Sequence, residues 1–375
     1  MRVAIVSESF LPSTNGVTTS VCRVADRLRA EGHEALIVAP SPAPPTYNGY
    51  AVHSARSFPV RQFQVGLPTG EIEAVLARFA PDVVHAASPF VLGASGLIAA
   101  DRLGLPSVAV YQTDLPSYLR QHGRGLAGSA AEAGAWRWIR RIHSLADLTL
   151  APSAAAADDL LGHGIPRVRR WGRGVDTALF HPGWRHDAGS RAIRRALAPR
   201  GETLLGYVGR LAPEKELHRL VEIADLPGTR LVLVGDGPAR AELERLLPGA
   251  AFLGLREGDD LARAYAAFDA FVHTGTRETF GQTLQEAAAT GLPVVAPAAG
   301  GPLDLVEHGR TGYLFDPHRA GSLRLCTQAL LDADHRGVLG RAGLARVAPL
   351  SWASVVSDLV GHYDDVIGSR VGHAA

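Results

Sequence analysis

Short apolar runs alternate with amphipathic helical patterns from Arg2 to Phe315, and this alternation constrains the fold more than any other feature of the chain. In the first half the runs are Arg2–Val6, Glu34–Ala39, Asp82–His85, Ser107–Tyr111, Leu148–Ala151 and Arg167–Arg170. In the second half they are Thr203–Val208, Arg230–Val234, Ala251–Leu253, Ala270–His273, Pro293–Ala296 and Gly312–Phe315. Between them lie stretches such as Val17, Val21, Val24 and Leu28, whose spacing puts all of them on one helical face. A strand that is apolar throughout is buried on both sides, and helices between such strands imply parallel sheets covered on both faces. The series restarts after "GRGVDTALFHPGWRHDAGS" (172–190), which is rich in Gly, Pro and His and reads as a linker. At 375 residues the chain suits two compact domains. The expectation is an α/β protein of two doubly wound parallel-sheet domains, 1–180 and 181–350, facing each other across a cleft. A last helix, 352–367, is expected to follow the second sheet and pack back on the first domain. "SPAPPTYNGY" (Ser41–Tyr50) reads as a Pro-rich surface loop.

Composition narrows the function classes. A formal net charge of +1 gives no global field for nucleic acid. Cys22 and Cys326 form no spaced pair, so neither a disulfide framework nor a zinc site is expected, and a reducing cytoplasm is. No run of 18 apolar residues exists to span a membrane. The loop after the first strand, "SESFLPSTNGV", lacks G-x-G-x-x-G; "VGDGPAR" at Val234 holds only half of that fingerprint; no G-x-x-x-x-G-K-[ST] occurs. NAD and P-loop nucleotide binding are therefore disfavoured.

One basic residue stands apart. Lys and Arg together number 38, yet Lys215 is the sole lysine, leaving 37 arginines (38 − 1). Lysine is a compact point charge, whereas arginine is a wide planar fork. In "GRLAPEKE", Pro213 occupies a first helical position and puts Lys215 in the first turn, where a cation opposes the helix dipole. With Arg210 at the preceding strand end, this arrangement suits an anionic ligand, a phosphate in particular. The plainer reading is a surface lysine neutralised by Glu214 and Glu216. In "TRETFGQTLQEAAATG" (276–291), Glu278 to Gly281 form a turn and Gln282 to Ala289 a short helix. Glu278 and Glu286 are too far apart to share one scissile bond, and suit the two ends of one extended ligand. The N–H groups of Phe280, Gly281 and Gln282 open the helix and can receive negative charge. Glu286 reads equally as a solvated helix residue. Asn15-Gly16, before the helix near Val17, is either an anion seat or a simple cap.

Taken together these residues resemble the retaining glycosyltransferases of the GT-B architecture that carry an E-x7-E signature (group 1, family 4). The resemblance runs over nearly the whole chain through "PSTNGV", "GVDTALF", "GRLAPEK", "VGDGP", Glu278 and Glu286 with "FG" at Phe280-Gly281, and "GGPLDLVEHGRTGYLF" from Gly300. Within that family the chain is most similar to GDP-mannose-dependent α-mannosyltransferases of bacterial glycolipid and lipoglycan synthesis. The resemblance implies two Rossmann-like domains and transfer of a hexose, mannose from GDP-mannose, onto a glycolipid or saccharide acceptor. It implies that Arg210 and Lys215 bind the donor diphosphate and stabilise its charge, that Glu278 holds the transferred sugar and that Glu286 holds the ribose. Gly16, beside Asn15, would approach the phosphates on cleft closure, and Leu255 would line the base pocket. It also implies front-face attack with retention, no cofactor, and no metal, in keeping with the lack of a D-x-D-like carboxylate pair.

Where many relatives carry a histidine near the transferred sugar, this chain has "VYQTDLPSY", with Gln112 in that place and Asp114 following. An amide binds a hydroxyl and shuttles no proton. The 15 histidines read as surface or core residues. On the acceptor side, "WRWIRRIHSLAD" from Trp136 is either a face for an anionic membrane surface at the inner side of the cell membrane or ordinary core packing. "RSFPVRQFQV" from Arg56 is a second candidate. Rival readings are a transferase of UDP- or ADP-sugars, a nucleotide-sugar epimerase, a pyridoxal-phosphate phosphorylase, and a non-catalytic sugar-binding protein of the same architecture.

Overall fold

The computed structural model describes residues 1–13, 15–60, 63–67, 70–122 and 126–374. The chain forms two compact units, one of residues 1–174 with 352–375 and one of residues 175–351.

The first unit holds strands β1 (Arg2–Ser7), β2 (Glu34–Pro40), β3 (Thr46–Tyr47), β4 (Tyr50–Ala55), β5 (Ser57–Val60), β6 (Phe63–Gly66), β7 (Val83–Ala87), β8 (Ser107–Val110), β9 (Leu148–Ala151) and β10 (Val168–Arg170). Eight of them form one sheet in the order β10-β9-β8-β7-β1-β2-β4-β3, parallel except for the β3–β4 pair, while β5 and β6 pair as an antiparallel hairpin. Side chains alternate across the sheet as a pleat requires. Val3 and Ile5 face Val21, Val24 and Leu28 of the Gly16–Ala30 helix, and Ala4 and Val6 face Leu76, Leu92 and Ala100 on the other side. The Trp352–Ala374 helix adds Val355, Val356, Leu359 and Tyr363 to the first of these cores. It is fixed there by a 2.7 Å hydrogen bond between the Tyr363 hydroxyl and His85 Nδ1, both fully buried, and by Trp171 Nε1 donating to Val355 O at 2.8 Å.

The second unit holds β11 (Thr203–Val208), β12 (Thr229–Val234), β13 (Ala251–Gly254), β14 (Ala270–Val272), β15 (Val294–Pro297) and β16 (Gly312–Phe315), all parallel, in the order β13-β12-β11-β14-β15-β16. Leu204, Val208, Val232 and Phe271 pack with Tyr265, Phe268 and Leu284 on one face, and Leu205, Tyr207, Leu233 and Val272 pack with Leu217, Leu220 and Ile223 on the other.

Three expectations change. The expected loop Ser41–Tyr50 gives way to strand from Thr46, and β4 lies in parallel beside β2. Near the sheet edge β4 is buried at Tyr50, Val52 and Ala55 but exposed at Ala51 and Ser54, so it lacks the continuous apolar run that marks its neighbours. The linker of 172–190 is folded over most of its length. Val175 N donates to Leu350 O at 2.8 Å, Val175 and Phe180 enter the second core, and Asp187 caps the Ala188–Leu197 helix. The boundary therefore lies at 174/175, ahead of the expected 180/181. Lys215 stands not in an α-helix but in a 3-10 turn, Pro213–Lys215, which ends at Glu216 in the left-handed region (φ 51°) before a second 3-10 stretch, Leu217–Ile223.

Tyr363→Phe leaves the buried His85 Nδ1 without its partner, and such a loss costs about 1–2 kcal/mol. The urea midpoint of the variant is expected to fall accordingly; an unchanged midpoint contradicts a stabilising role for this bond.

Candidate active site

In each sheet the first strand of the unit lies beside the fourth strand of the parallel series, β11 against β14 and β1 against β7, so the strand order reverses there. Doubly wound sheets bind ligands beyond the carboxyl ends of the strands at such reversals, where the two flanking loops leave in opposite directions. The chemistry-bearing residues of each unit gather at these points.

In the second unit the loop after β11 carries Arg210 and Lys215, and the loop after β14 carries Glu278. Lys215 Nζ donates to Glu278 Oε2 at 2.7 Å, with both side chains mostly buried. The neighbours expected to neutralise the lysine do otherwise: Glu214 pairs with Arg210, and Glu216 accepts from Arg219 at 2.7 Å and from the Thr276 hydroxyl at 2.5 Å. Thr274 Oγ1 donates to Lys215 O at 2.7 Å, so the two loops are joined through backbone as well as through charge. Arg210 and Lys215 do not converge on one partner; each cation is held by its own carboxylate. Beneath the pair lies His273, 2% exposed, its ring stacked on Tyr207 and its Nε2 3.7 Å from Glu278 Oε2. His273 is thus one of the histidines expected to lie in the core.

Phe280 is buried and its backbone presses on Gly301, where a Cβ would stand 2.3 Å from Phe280 O; at Gly300 (φ 61°) a Cβ would stand 2.6 Å from Glu278 O. Only glycines allow the 300–301 segment to support the Glu278 loop so closely. Gly281 (φ 105°) then turns the chain into the Gln282–Ala289 helix, whose start has no side-chain cap. On that helix Glu286 accepts from the Tyr265 hydroxyl at 2.8 Å. Burial pushes its carboxyl up to about 7, the Tyr265 bond opposes that shift, and Asp176 adds to it. Leu255 stands 69% exposed just past β13, with β12 between that strand and β11.

In the first unit Asn15 is a helix cap: its Oδ1 accepts from Val17 N at 2.9 Å and Thr18 N at 3.1 Å, while Nδ2 donates to Ser9 Oγ at 2.7 Å. Gly16 opens the helix against Arg173, whose Nη1 would lie 2.7 Å from a Cβ at that position. Arg173 Nη2 in turn donates to Oε1 of the buried Gln112 at 3.1 Å. Arg173 was legible only as part of the linker motif "GRGVD", and nothing in its spacing pairs it with Gly16. Asp114 accepts from the Tyr111 hydroxyl at 3.4 Å. Glu8, also unmarked in the sequence, takes N–H donors from Phe90, Val91 and Gly93 at 2.6–2.8 Å, while its burial raises its pKa.

Of the acceptor candidates, Trp136 is a packing residue, stacked on His163 at 3.7 Å between ring centroids. Trp138, on the same Leu126–His143 helix, is 36% exposed and donates to Phe90 O; Arg137, Arg140 and Arg141 are exposed. Phe58 in the β5–β6 hairpin is exposed too, while Arg61 and Gln62 of the "RSFPVRQFQV" stretch lie outside the described residues. Among the described residues no helix is long and apolar enough to cross a membrane, and no three His, Cys, Asp or Glu side chains are grouped as metal ligands.

Comparison with known proteins gives three results. The model of the Glycosyltransferase Family 4 matches residues 14–179, and that of Glycosyl transferases group 1 matches residues 190–344. A GDP-mannose-dependent alpha-mannosyltransferase of Mycolicibacterium smegmatis is 47% identical over all of both chains, and one of Mycobacterium tuberculosis is 46% identical over 100% of this chain and 99% of its own. Among solved structures, Anabaena HepE in complex with UDP superposes with a TM-score of 0.78 at 21% identity, covering 97% of this chain and 100% of its own. The fold is GT-B.

Glu286 gives the site a pH signature. Its folded pKa of about 7 lies above the ordinary 4.5, so between those values the unfolded chain is ionised while the folded carboxyl keeps its proton. Folding then takes up a proton, and stability falls as pH rises through this window. Glu286→Gln removes that slope, so its stability relative to the parent is expected to rise by on the order of 2 kcal/mol between pH 4.5 and 7. Urea titrations at both ends of the window measure it, and parallel curves for the two proteins contradict it.

Proposed function

The chain belongs to the glycosyltransferases of family 4 and group 1, and from that premise we propose that it transfers mannose from GDP-mannose to a hydroxyl of a glycolipid or saccharide acceptor with retention of configuration. The donor assignment is supported by full-length likeness to relatives so named. One observation carries the chemistry: the Lys215–Glu278 pair stands at the carboxyl ends of β11 and β14, where the strand order reverses.

In this reading Lys215 and Arg210 receive the negative charge that grows on the diphosphate as the glycosidic bond breaks. Charges already in place when the bond breaks need little reorganisation, and that is the source of their catalytic effect. Glu214 and Glu278 keep the two cations oriented beforehand. Glu278 accepts hydrogen bonds from hydroxyls of the transferred sugar, and the N–H groups of Phe280, Gly281 and Gln282 add positive dipole at the helix start. Glu286, held by Tyr265, takes the ribose hydroxyls, and Leu255 contacts the base. Asn15, Gly16, Gln112 and Asp114 are assigned to donor binding as well. A donor phosphate oxygen takes the acceptor proton, so the proposal uses no protein nucleophile, no cofactor and no metal. The exposed Arg137, Trp138, Arg140 and Arg141 suit peripheral contact with an anionic membrane surface at the cytoplasmic face, where a glycolipid acceptor would be met.

Release of GDP from GDP-mannose in the presence of glycolipid acceptors tests the reaction, and thermal shifts with GDP-, UDP- and ADP-sugars test the donor. GDP-mannose is expected to give the largest shift; a larger one with a UDP- or ADP-sugar overturns the donor, and epimerised sugar without acceptor overturns the reaction. Lys215→Arg is expected to melt like the parent and to lose about a hundredfold or more in turnover. Near-parental turnover in that variant contradicts the role given to the lysine.

A further inference from the structure

Glu278 meets a cation, whereas Glu286, the other acid of the site, is held by a neutral group. Its Oε2 accepts from the Tyr265 hydroxyl at 2.8 Å, and no ion pair to it is found among the described residues. Tyr265 stands in the last turn of the Gly258–Ala267 helix and is fully buried. Its ring lies edge-on to Phe180 at 5.4 Å and tilted against Phe271 at 5.7 Å between centroids. A ring so enclosed has little freedom in where it places its hydroxyl. Burial, with the Glu286 charge beside it, keeps that hydroxyl protonated. It has one hydrogen to give, and the other acceptor in reach, Thr283 O, is farther away at 3.4 Å. Two titratable groups act on the Glu286 carboxyl: Tyr265, which favours its charge, and Asp176, ahead of the Ala188–Leu197 helix, which opposes it.

We propose that Tyr265 is a positioning residue for the donor, whose hydroxyl holds Glu286 by Oε2, favours its anionic form and leaves Oε1 to the ribose. The inference rests on the donor-binding reading above and adds to it a dependence on pH. A ribose diol offers two O–H donors, and hydrogen bonds to an ionised acceptor are about twice as strong as neutral ones. Burial pushes the carboxyl up to about 7 even with the Tyr265 bond opposing it, so the acid is close to half ionised at neutral pH. Without the hydroxyl the remaining influences, burial and Asp176, both favour the proton. Donor affinity therefore falls as pH drops through neutrality, and removal of the hydroxyl moves that fall to higher pH.

Tyr265→Phe keeps the ring among its aromatic neighbours and removes only the oxygen. Binding of GDP-mannose, whose diphosphate diester does not titrate near neutrality, is measured on both sides of the transition. The parent is expected to bind more tightly as pH rises through about 7 and then to level off, and Glu286→Gln to show no such transition. In Tyr265→Phe the transition should stand about one unit higher, with KM for GDP-mannose at neutral pH raised up to about tenfold and kcat changed less than about threefold. Coincident transitions in parent and Tyr265→Phe overturn the inference, as does an equal loss in kcat and kcat/KM at every pH. A readout independent of turnover is the carbon-13 NMR signal of the Glu286 carboxyl, identified by its disappearance in Glu286→Gln. Without ligand it should titrate near 7 in the parent and higher in Tyr265→Phe. If that variant does not fold, incorporation of 3-fluorotyrosine, a stronger donor that keeps every ring, should lower the titration of the carboxyl. An unmoved titration in either case overturns the inference. If Glu286→Gln binds GDP-mannose as the parent does, the donor reading falls, while the carboxyl signal still decides for or against the hold of Tyr265 on Glu286.

Discussion

A parallel sheet has to be covered by helices on both faces, and the residues gathered at the two strand-order reversals owe their place to that constraint. Coverage requires each strand to be followed by a helical return, so all carboxyl ends point one way and all the loops that leave them gather at one edge. Where the order reverses, the loops after β11 and β14 diverge to opposite faces and leave room between their first residues. Lys215 and Glu278 are 63 positions apart in the chain and 2.7 Å apart at this reversal. The same construction in the first unit sets Gly16, after β1, against Arg173 and thereby near Gln112, after β8.

Charge around Lys215 is compensated residue by residue. Arg210 has Glu214, Lys215 has Glu278, and Arg219 has Glu216. Such a site costs little in desolvated, unpaired charge, and a polyanionic ligand would enter it by exchanging partners rather than by filling an unbalanced positive pocket. The exchange has different consequences on the two sides. Glu214 follows its arginine in the same loop, whereas Glu278 comes from another loop, so a ligand that drew Lys215 away would act also on the segment that leads into the Gln282–Ala289 helix. The glycine contacts at 300 and 301 limit how far that segment can move.

Much of this was legible in the chain, for identifiable reasons. Continuous apolar runs marked most of the parallel strands because both faces are buried, and β4 escaped because exposed residues, Ala51 and Ser54, interrupt it. The turn and helix around Gly281 were visible in composition: a glycine, then small residues over one helical length. Lys215 drew notice only because arginine fills every other basic position. Its partner could not be read, since Glu214 and Glu216 are nearer in sequence and each is taken up by an arginine. Arg173 was missed for a like cause: its contacts with Gln112 and Gly16 join distant segments, which no local pattern encodes. The 3-10 geometry at Pro213 was also hidden, because a proline at a first helical position favours both kinds of helix start and the break comes from Glu216 adopting a left-handed conformation that its Thr276 and Arg219 bonds hold.

The resistance of position 215 to arginine follows from what surrounds Glu278. A guanidinium presents parallel N–H groups and would engage both carboxylate oxygens at once. That grip would engage both oxygens of Glu278, where the ammonium contacts Oε2. In the proposed reaction the flexible stem of an ammonium would let the charge swing to a phosphate without carrying the carboxylate along. Lysine is thus, in that reaction, the cation that would orient Glu278 and still let it go.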